Sequence, residues 1–318
     1  MILSIIIPVY NVEKYIEKCL LSCLNQDIPS EDYEIIVVND GSPDNSDKII
    51  QNIKKSYSNI LVFNQKNKGL SEARNTGFKN SRGKYVWFID SDDWIEKNCL
   101  GRIYNLLKIN PDILQLQYRY VYEDTWLEKE IPIYRIKGIK SGPEVIRQGG
   151  LPAPAPFSIY RSQFLKDHDL AFVPGIYHED SEFKPRATYL AKRIISDTVV
   201  CYNYLQRTSG SITSNFRLKN GLDIIFVMNS LSRFTDNQKI PFKYRPSFYR
   251  KIGLNMNTLL AGLSRLNEKD KRILIDKLNM NKYLFRHMIF SDRLKYQVEG
   301  TLFLINLKFG LKLYHLLK

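Results

Sequence analysis

Along the first 110 residues, short apolar runs alternate with segments that mix apolar and polar positions. "LSIIIPVY" (3–10), "YEIIVVND" (33–40), "NILVFNQ" (59–65) and "KYVWFID" (84–90) are rich in β-branched residues and bounded by turn signals. Uninterrupted apolar runs of this length mark strands buried on both faces, as in a parallel sheet. The segments between them, 12–26 (stopping before Pro29), 45–56 and 70–80, carry helical patterning. Strand–helix alternation at this spacing predicts an α/β fold. Its sheet would be Rossmann-like and mostly parallel, with right-handed crossovers and helices on both faces.

Residues 112–140 read as longer, more polar strands in antiparallel arrangement. The Pro-rich "LPAPAPF" (151–157) reads as a hinge, and a mixed segment follows as far as "SGSIT" (209–213). From about 217 the pattern turns helical and basic. The expected organisation is an α/β domain over 1–215 and a helical extension over 216–318. A chain of 318 residues, 44% hydrophobic and 12% aromatic, can bury a full core and is not disordered. Cys19, Cys23, Cys99 and Cys201 lack histidines at metal-ligand spacing, so reduced, buried thiols of a cytosolic protein are expected. The start "MILSIIIPVY" lacks the basic lead of a signal peptide, and no run reaches the roughly 18–20 apolar residues of a spanning helix.

Charge changes the picture of the last third. Residues 1–215 carry 27 Lys and Arg against 26 Asp and Glu, whereas 216–318 carry 20 against 7, so +13 of the net +14 lies there. A basic segment implies an anionic partner, either nucleic acid or membrane headgroups.

The chemistry concentrates at strand ends. In open α/β sheets, ligands bind outside the carboxyl ends of the strands. That rule places "PVYN" (8–11), "NDGS" (39–42) and "DSDD" (90–93) along one edge. Three carboxylates at one strand end repel one another unless a cation joins them. Mg²⁺ or Mn²⁺ is held by one or two carboxylates, with water and substrate phosphate completing its shell. "HED" (178–180) opens a helical pattern, where acidic residues are at home as caps but where a carboxylate also suits a general base. "QRTSGSIT" (206–213) offers Arg207, Ser209 and Ser211 to phosphate oxygens, and Arg74 in "SEARNTG" can lean toward the strand ends.

Taken in order and spacing, "SIIIPVYN", "EIIVVNDGSPDNS", "KGLSEARNTG", "YVWFIDSDDW", "HEDSEF" and "RTSGSIT" resemble the inverting family-2 glycosyltransferases of the GT-A fold, across roughly residues 3–215. The resemblance implies a nucleotide-diphospho-sugar donor (a UDP-sugar), a divalent Mn²⁺ or Mg²⁺ ion, and single-displacement transfer with inversion. It implies that Pro8, Val9 and Tyr10 line the nucleotide pocket and that Asp40 bonds the uracil. Arg74 would close over the nucleotide, with Arg207 and Ser211 at its phosphates. Asp90, with Ser91 beside it, would approach ribose or sugar. Asp92 would ligate the metal, with Asp93 as second ligand. Glu179-Asp180 would supply the base, Asp180 being favoured and Glu179 kept open. The Gln-x-x-Arg-Trp motif of processive members is absent, which implies one sugar per encounter.

The tail "TLFLINLKFGLKLYHLLK" (301–318) reads as a basic amphipathic helix that lies on an anionic membrane, or else packs on its own domain or on a second subunit as a homodimer. The expectation is a protein peripheral on the cytoplasmic face, acting on a saccharide acceptor linked to polyprenyl diphosphate, without a nucleic-acid partner. Two rival readings are a nucleotidyltransferase of related fold and a non-catalytic anion- or nucleic-acid-binding protein.

Overall fold

The computed structural model describes residues 1–131, 136–208 and 216–316. The chain divides into two compact units, each discontinuous in sequence. The first comprises 1–142, 152–175 and 190–210, and the second 143–151, 176–189 and 211–318.

The first unit is built on one sheet. Its strands are β1 (Leu3–Val9), β2 (Tyr33–Asn39), β3 (Ile60–Asn64), β4 (Tyr85–Phe88), β5 (Trp94–Ile95), β6 (Ile113–Tyr122), β7 (Glu128–Glu130), β8 (Ser158–Arg161) and β9 (Ile194–Gln206). Helices α1 (Ile16–Leu24), α2 (Ser46–Lys54), α3 (Leu70–Lys79) and α4 (Leu100–Leu107) connect the early strands. The order is β3-β2-β1-β4-β8-β6-β9-β5, with β7 on β6. β1, β2, β3 and β4 pair in parallel, and every residue of β1, β2 and β4 is buried, as the unbroken apolar runs require. The four expected early strands and three helices are all present, α1 six residues shorter than expected and the others one to three.

Beyond β4 the sheet turns mixed. The expected antiparallel pairing within 112–140 is present as β6 with the three-residue β7, while 132–135 lie outside the described residues. β6 also pairs antiparallel with β8, and in parallel with the 13-residue β9. The parallel match of β6 with β9 was not legible in the sequence. Its register slips between Gln115 and Tyr118, which breaks the alternation that would have marked two paired strands. All four cysteines are free and buried.

The second unit begins with α5 (Gly142–Arg147) and, after α6 (Ser162–Asp167) of the first unit, continues through α7 (Glu179–Leu190). It is completed by α8 (Leu218–Asn237), α9 (Arg245–Leu263), α10 (Glu268–Met280), α11 (Tyr283–Ile289), α12 (Leu294–Ile305) and α13 (Leu307–Leu316). Ile224, Met228, Ile252, Met256, Leu274, Phe285 and Met288 fill its apolar centre. The "HED" segment belongs to this helical unit rather than to the sheet unit.

Candidate active site

The carboxyl ends of β1, β2 and β4 lie side by side, because Val9 is in register with Asn39 and Ile6 with Phe88. Each end turns into a loop, and polar side chains bind the first two loops together. Asn11, in the left-handed region at φ 54°, donates its N–H to Ser42 Oγ at 2.7 Å. Ser42 Oγ donates to Asp44 Oδ1 at 2.6 Å, and the N–H of Glu13 donates to Asp44 Oδ2 at 2.8 Å. Glu13 in turn accepts from the N–H and side-chain amide of Asn45, both at 2.9 Å. Burial works against the charge on Asp44, but the bonds from Ser42, Ser46 and the Glu13 backbone hold its carboxyl at about 2. Pro8 and Val9 are buried at the end of β1, and Tyr10 stands out into solvent.

Asp40 is 3% exposed and clamps a third loop. Its Oδ1 accepts from Gln65 Nε2 at 2.7 Å and the Lys68 N–H at 2.9 Å, and Oδ2 accepts from the Gly69 N–H at 2.8 Å. Gly41 beside it has φ +69°, and a Cβ there would stand 3.0 Å from the Asn67 nitrogen, so "DG" is required by close backbone approach. Asp40 thus sets the start of α3, the helix that carries Arg74.

Arg74 is buried, and its Nη2 meets Asp90 Oδ1 at 2.7 Å. Its guanidinium also lies over the Phe172 ring at 5.1 Å. "DSDD" forms a turn closed by the Asp93 N–H donating to the Asp90 carbonyl at 3.0 Å, with Ser91 buried in it. Its three carboxylates have separate fates. Asp90 takes Arg74. Asp92, whose side chain is 22% exposed, takes Arg207 Nε at 3.1 Å. Burial and the neighbouring charge of Asp90 push the Asp92 carboxyl up to about 6, against the pull of Arg207. Asp93 is 1% exposed and spends both oxygens on β9: Oδ2 accepts from Tyr202 Oη at 2.6 Å and Oδ1 from the Leu205 N–H at 2.7 Å. Held between these two donors, the Asp93 side chain fastens the turn to the sheet.

Arg207 leaves β9 beside a network that the sequence did not disclose. Tyr15 Oη donates to Glu123 Oε1 at 2.6 Å, and Glu123 Oε2 accepts the Thr208 N–H at 2.9 Å. The Arg207 guanidinium lies 5.5 Å from the Tyr15 ring centre. The hydrogen bond from Tyr15 is the main cause holding the Glu123 carboxyl below its ordinary value. Glu123, 84 residues from Arg207, had no sequence signal of this contact; Asp44, two residues before α2, could have been read as an Asx turn. Ser211 and Ser209 lie outside the described residues.

In the helical unit, Glu179 and Asp180 open α7, with Glu179 buried and Asp180 half-buried. His178 precedes them at φ 63°, and burial lowers its pKa despite the nearby charges of Asp223 and Asp180. Asp223 on α8 anchors the approach, accepting the Tyr177 N–H at 2.9 Å and Lys219 Nζ at 2.7 Å. Glu182, a turn later, is consumed by Ser230 Oγ at 2.7 Å and Arg186 at 2.6 Å.

The sequence profile described as "Glycosyl transferase family 2" matches residues 4–169, just over half of the chain. Among curated proteins, the chain is 29% identical over 269 residues to Glycosyltransferase GlyA of Streptococcus pneumoniae serotype 4, covering 79% of this chain and 37% of that protein. It is 33% identical over 211 residues to a Poly(ribitol-phosphate) beta-glucosyltransferase of Bacillus spizizenii, covering 65% and 33%. The chain therefore spans about a third of the length of these two relatives. Its fold is similar to that of S. aureus TarS 1-349 in complex with UDP-GlcNAc, with a TM-score of 0.62 at 21% identity over 92% of this chain and 91% of that one. It is also similar to the mannosyltransferase PcManGT of Pyrobaculum calidifontis in complex with GDP-Man and Mn2+, with a TM-score of 0.57 at 14% identity over 96% and 87%. The chain belongs to glycosyl transferase family 2 and has the GT-A type of α/β fold.

Proposed function

We propose that this chain moves one sugar from a UDP-sugar to a saccharide acceptor, with inversion and without processivity, in the synthesis of a surface polysaccharide. The observation that carries this reading is the gathering of Asp40 after β2, Asp90 and Asp92 after β4, and Arg74 from α3, each on a fixed partner. Family membership and the glycosyltransferase names of the relatives point the same way.

In this reading Pro8, Val9 and Tyr10 frame the base and Asp40 meets the uracil edge, while holding the loop that leads to Arg74. Asp90 and Ser91 face ribose or sugar, and Arg207 and Ser211 serve the diphosphate. Among the described residues no three acidic, histidine or cysteine side chains converge as a ready metal cage. The donor chemistry nonetheless fits Mn²⁺ or Mg²⁺. Asp92 carries a hard carboxylate whose charge is opposed by burial and by Asp90, and one or two such ligands suffice when water and diphosphate complete the shell. A bound divalent ion would supply charge neutralisation to the departing nucleoside diphosphate. Asp93 we assign to holding the turn. Asp180, or Glu179 beside it, would accept the proton of the attacking acceptor hydroxyl, a contribution of about 10²–10⁴-fold.

The second unit we read as the membrane-facing part, placing the enzyme beside a lipid-linked acceptor. No helix among the described residues is long and apolar enough to cross a membrane.

Titration with UDP in Mn²⁺, and again in excess EDTA, tests the donor site. Binding should require both the metal and Asp92, so that Asp92→Asn abolishes it, while Asp180→Asn should bind UDP normally and lose transfer. Metal-independent UDP binding would remove the metal role. Release of pyrophosphate instead of UDP during turnover would make the chain a nucleotidyltransferase.

A further inference from the structure

Three elements that build the edge of the candidate donor site each contribute a second residue, two or three positions further on, to a separate cluster. Helix α1 and its approach supply Tyr15 to the Glu123 network and Lys18 to this cluster. The "DSDDW" turn supplies Asp92 to Arg207 and Trp94 to the cluster. The loop between β6 and β7 supplies Glu123 and then Trp126. The Lys18 ammonium sits 3.0 Å from the Trp94 ring centre and 4.9 Å from that of Trp126. The two indoles lie 6.4 Å apart at 46°. A cation lodged between two indoles fixes both rings by cation–π attraction.

Packing does not account for Trp126. It is 59% exposed, and Leu127 beside it 63%. Its backbone has φ 54°, a conformation uncommon for any side chain and an outlier for a bulky one. The loop is closed by the Trp126 N–H on the Tyr122 carbonyl at 2.7 Å and the Tyr122 N–H on the Leu127 carbonyl at 3.1 Å. Glycine or asparagine would close it without strain. An open indole, held rigid by a cation and set against a polar network, has the form of a binding platform, since aromatic rings give large contact area at small entropic cost.

We infer that Trp126, oriented by Lys18 and Trp94, is a sugar-stacking subsite that takes a pyranose ring of the saccharide acceptor. This rests on the glycosyltransferase reading and names where in the sheet unit the acceptor is held. The apolar C–H face of a pyranose covers an indole and leaves its hydroxyls to solvent. The other source of a pyranose is the donor's own sugar, and the test separates the two.

The three tryptophans are Trp87, Trp94 and Trp126, and Trp87 is buried with its Nε1–H on the Pro156 carbonyl at 2.7 Å, an internal control. The experiment follows indole N–H signals by ¹⁵N NMR during addition of methyl β-D-glucopyranoside and N-acetyllactosamine. UDP and UDP-glucose, each with Mn²⁺, are titrated in parallel samples. The glycosides should move the Trp126 and Trp94 signals and leave Trp87 in place. Trp126→Ala should weaken glycoside binding about tenfold or more, the scale of losing an aromatic anchor, and leave UDP affinity unchanged. Lys18→Met should weaken glycoside binding less. If UDP binds while both glycosides leave Trp126 unmoved, the subsite is wrong and the donor reading stands. Movement of Trp126 by UDP-glucose but not by UDP would assign the platform to the donor sugar and overturn the acceptor assignment. Glycoside binding without any UDP binding would keep the subsite and overturn the donor reading, and binding of neither would overturn both.

Discussion

Asp44 shows how one side chain can set the geometry of a site it does not enter. It joins the loops after β1 and β2 through Ser42, Ser46 and the Glu13 N–H, and so fixes where Tyr10 and Asp40 stand. Its carboxyl lies at about 2 against an ordinary 3.8. A depressed acid stabilises the fold above its unfolded value, and that increment disappears as pH falls through the folded one. Asp44→Asn should therefore cost about 1–2 kcal/mol at pH 7, allowing for screening at a partly exposed site. The difference from the parent should close between about pH 4 and pH 2. Urea midpoints at pH 7, 4 and 2.5 measure this, and a constant difference across the range would show that the carboxylate charge does not matter. The sequence displayed Asp44 but not this role. The groups that bond it are Ser42 and Ser46, two residues to either side, and the Glu13 N–H, 31 residues before it, and only the parallel register of β1 on β2 brings the last within reach.

At the scale of elements, the sheet strands near the site were legible, and their partners across the sheet were not. Runs such as "IIIPV" and "IIVV" read as buried strands because every position is apolar, and the rule for strand ends then located Asp40 and Asp90. β9 escaped because Ser196, Asp197, Thr198 and Asn203 interrupt its apolar pattern, although Asp197 and Asn203 are buried on polar partners. Trp94 is half-buried in β5 beneath Lys18. Close packing of α3 on β1 gives a test at this scale. A Cβ on Gly77 would stand 2.3 Å from Ile6 Cγ2, a fully buried side chain. Alanine favours a helix over glycine by about 1 kcal/mol, but overpacking a core costs about 1–3 kcal/mol, so the clash wins. Gly77→Ala should lower stability in urea and, by shifting α3 and Arg74 away from Asp90, weaken UDP binding as well. Unchanged UDP affinity in a destabilised variant would separate α3 packing from the site.

For the whole molecule, the excess charge and a stripe of exposed apolar side chains fall in the same helical unit. The sequence placed +13 within 216–318 but assigned its apolar character to the tail 301–318 as a block. The structure divides that tail: Phe303, Leu307, Leu311 and Tyr314 are buried in the helical core, so deleting it would damage the unit rather than test a surface. The exposed apolar positions start before the tail and run into it. Leu294, Val298 and Ile305 are 74%, 50% and 78% exposed and spaced 4 and 7 apart, which puts them on one face of α12, with Phe290 67% exposed just before it. Arg293, Lys295, Lys308 and Lys312 are exposed around them. Each Lys or Arg near an anionic surface contributes about 1 kcal/mol, and apolar insertion adds to it. The intact chain should float with phosphatidylglycerol vesicles at 0.1 M salt and much less at 0.5 M, where screening shortens the reach of the charges. Leu294→Glu, Val298→Glu and Ile305→Glu together change only side chains at least half exposed and should leave the protein in the soluble fraction with its melting temperature retained. Equal flotation of parent and triple variant would remove this face from membrane contact. A concentration-dependent dimer that the same substitutions dissolve, without flotation of the parent, would instead give the stripe to a second copy of the chain.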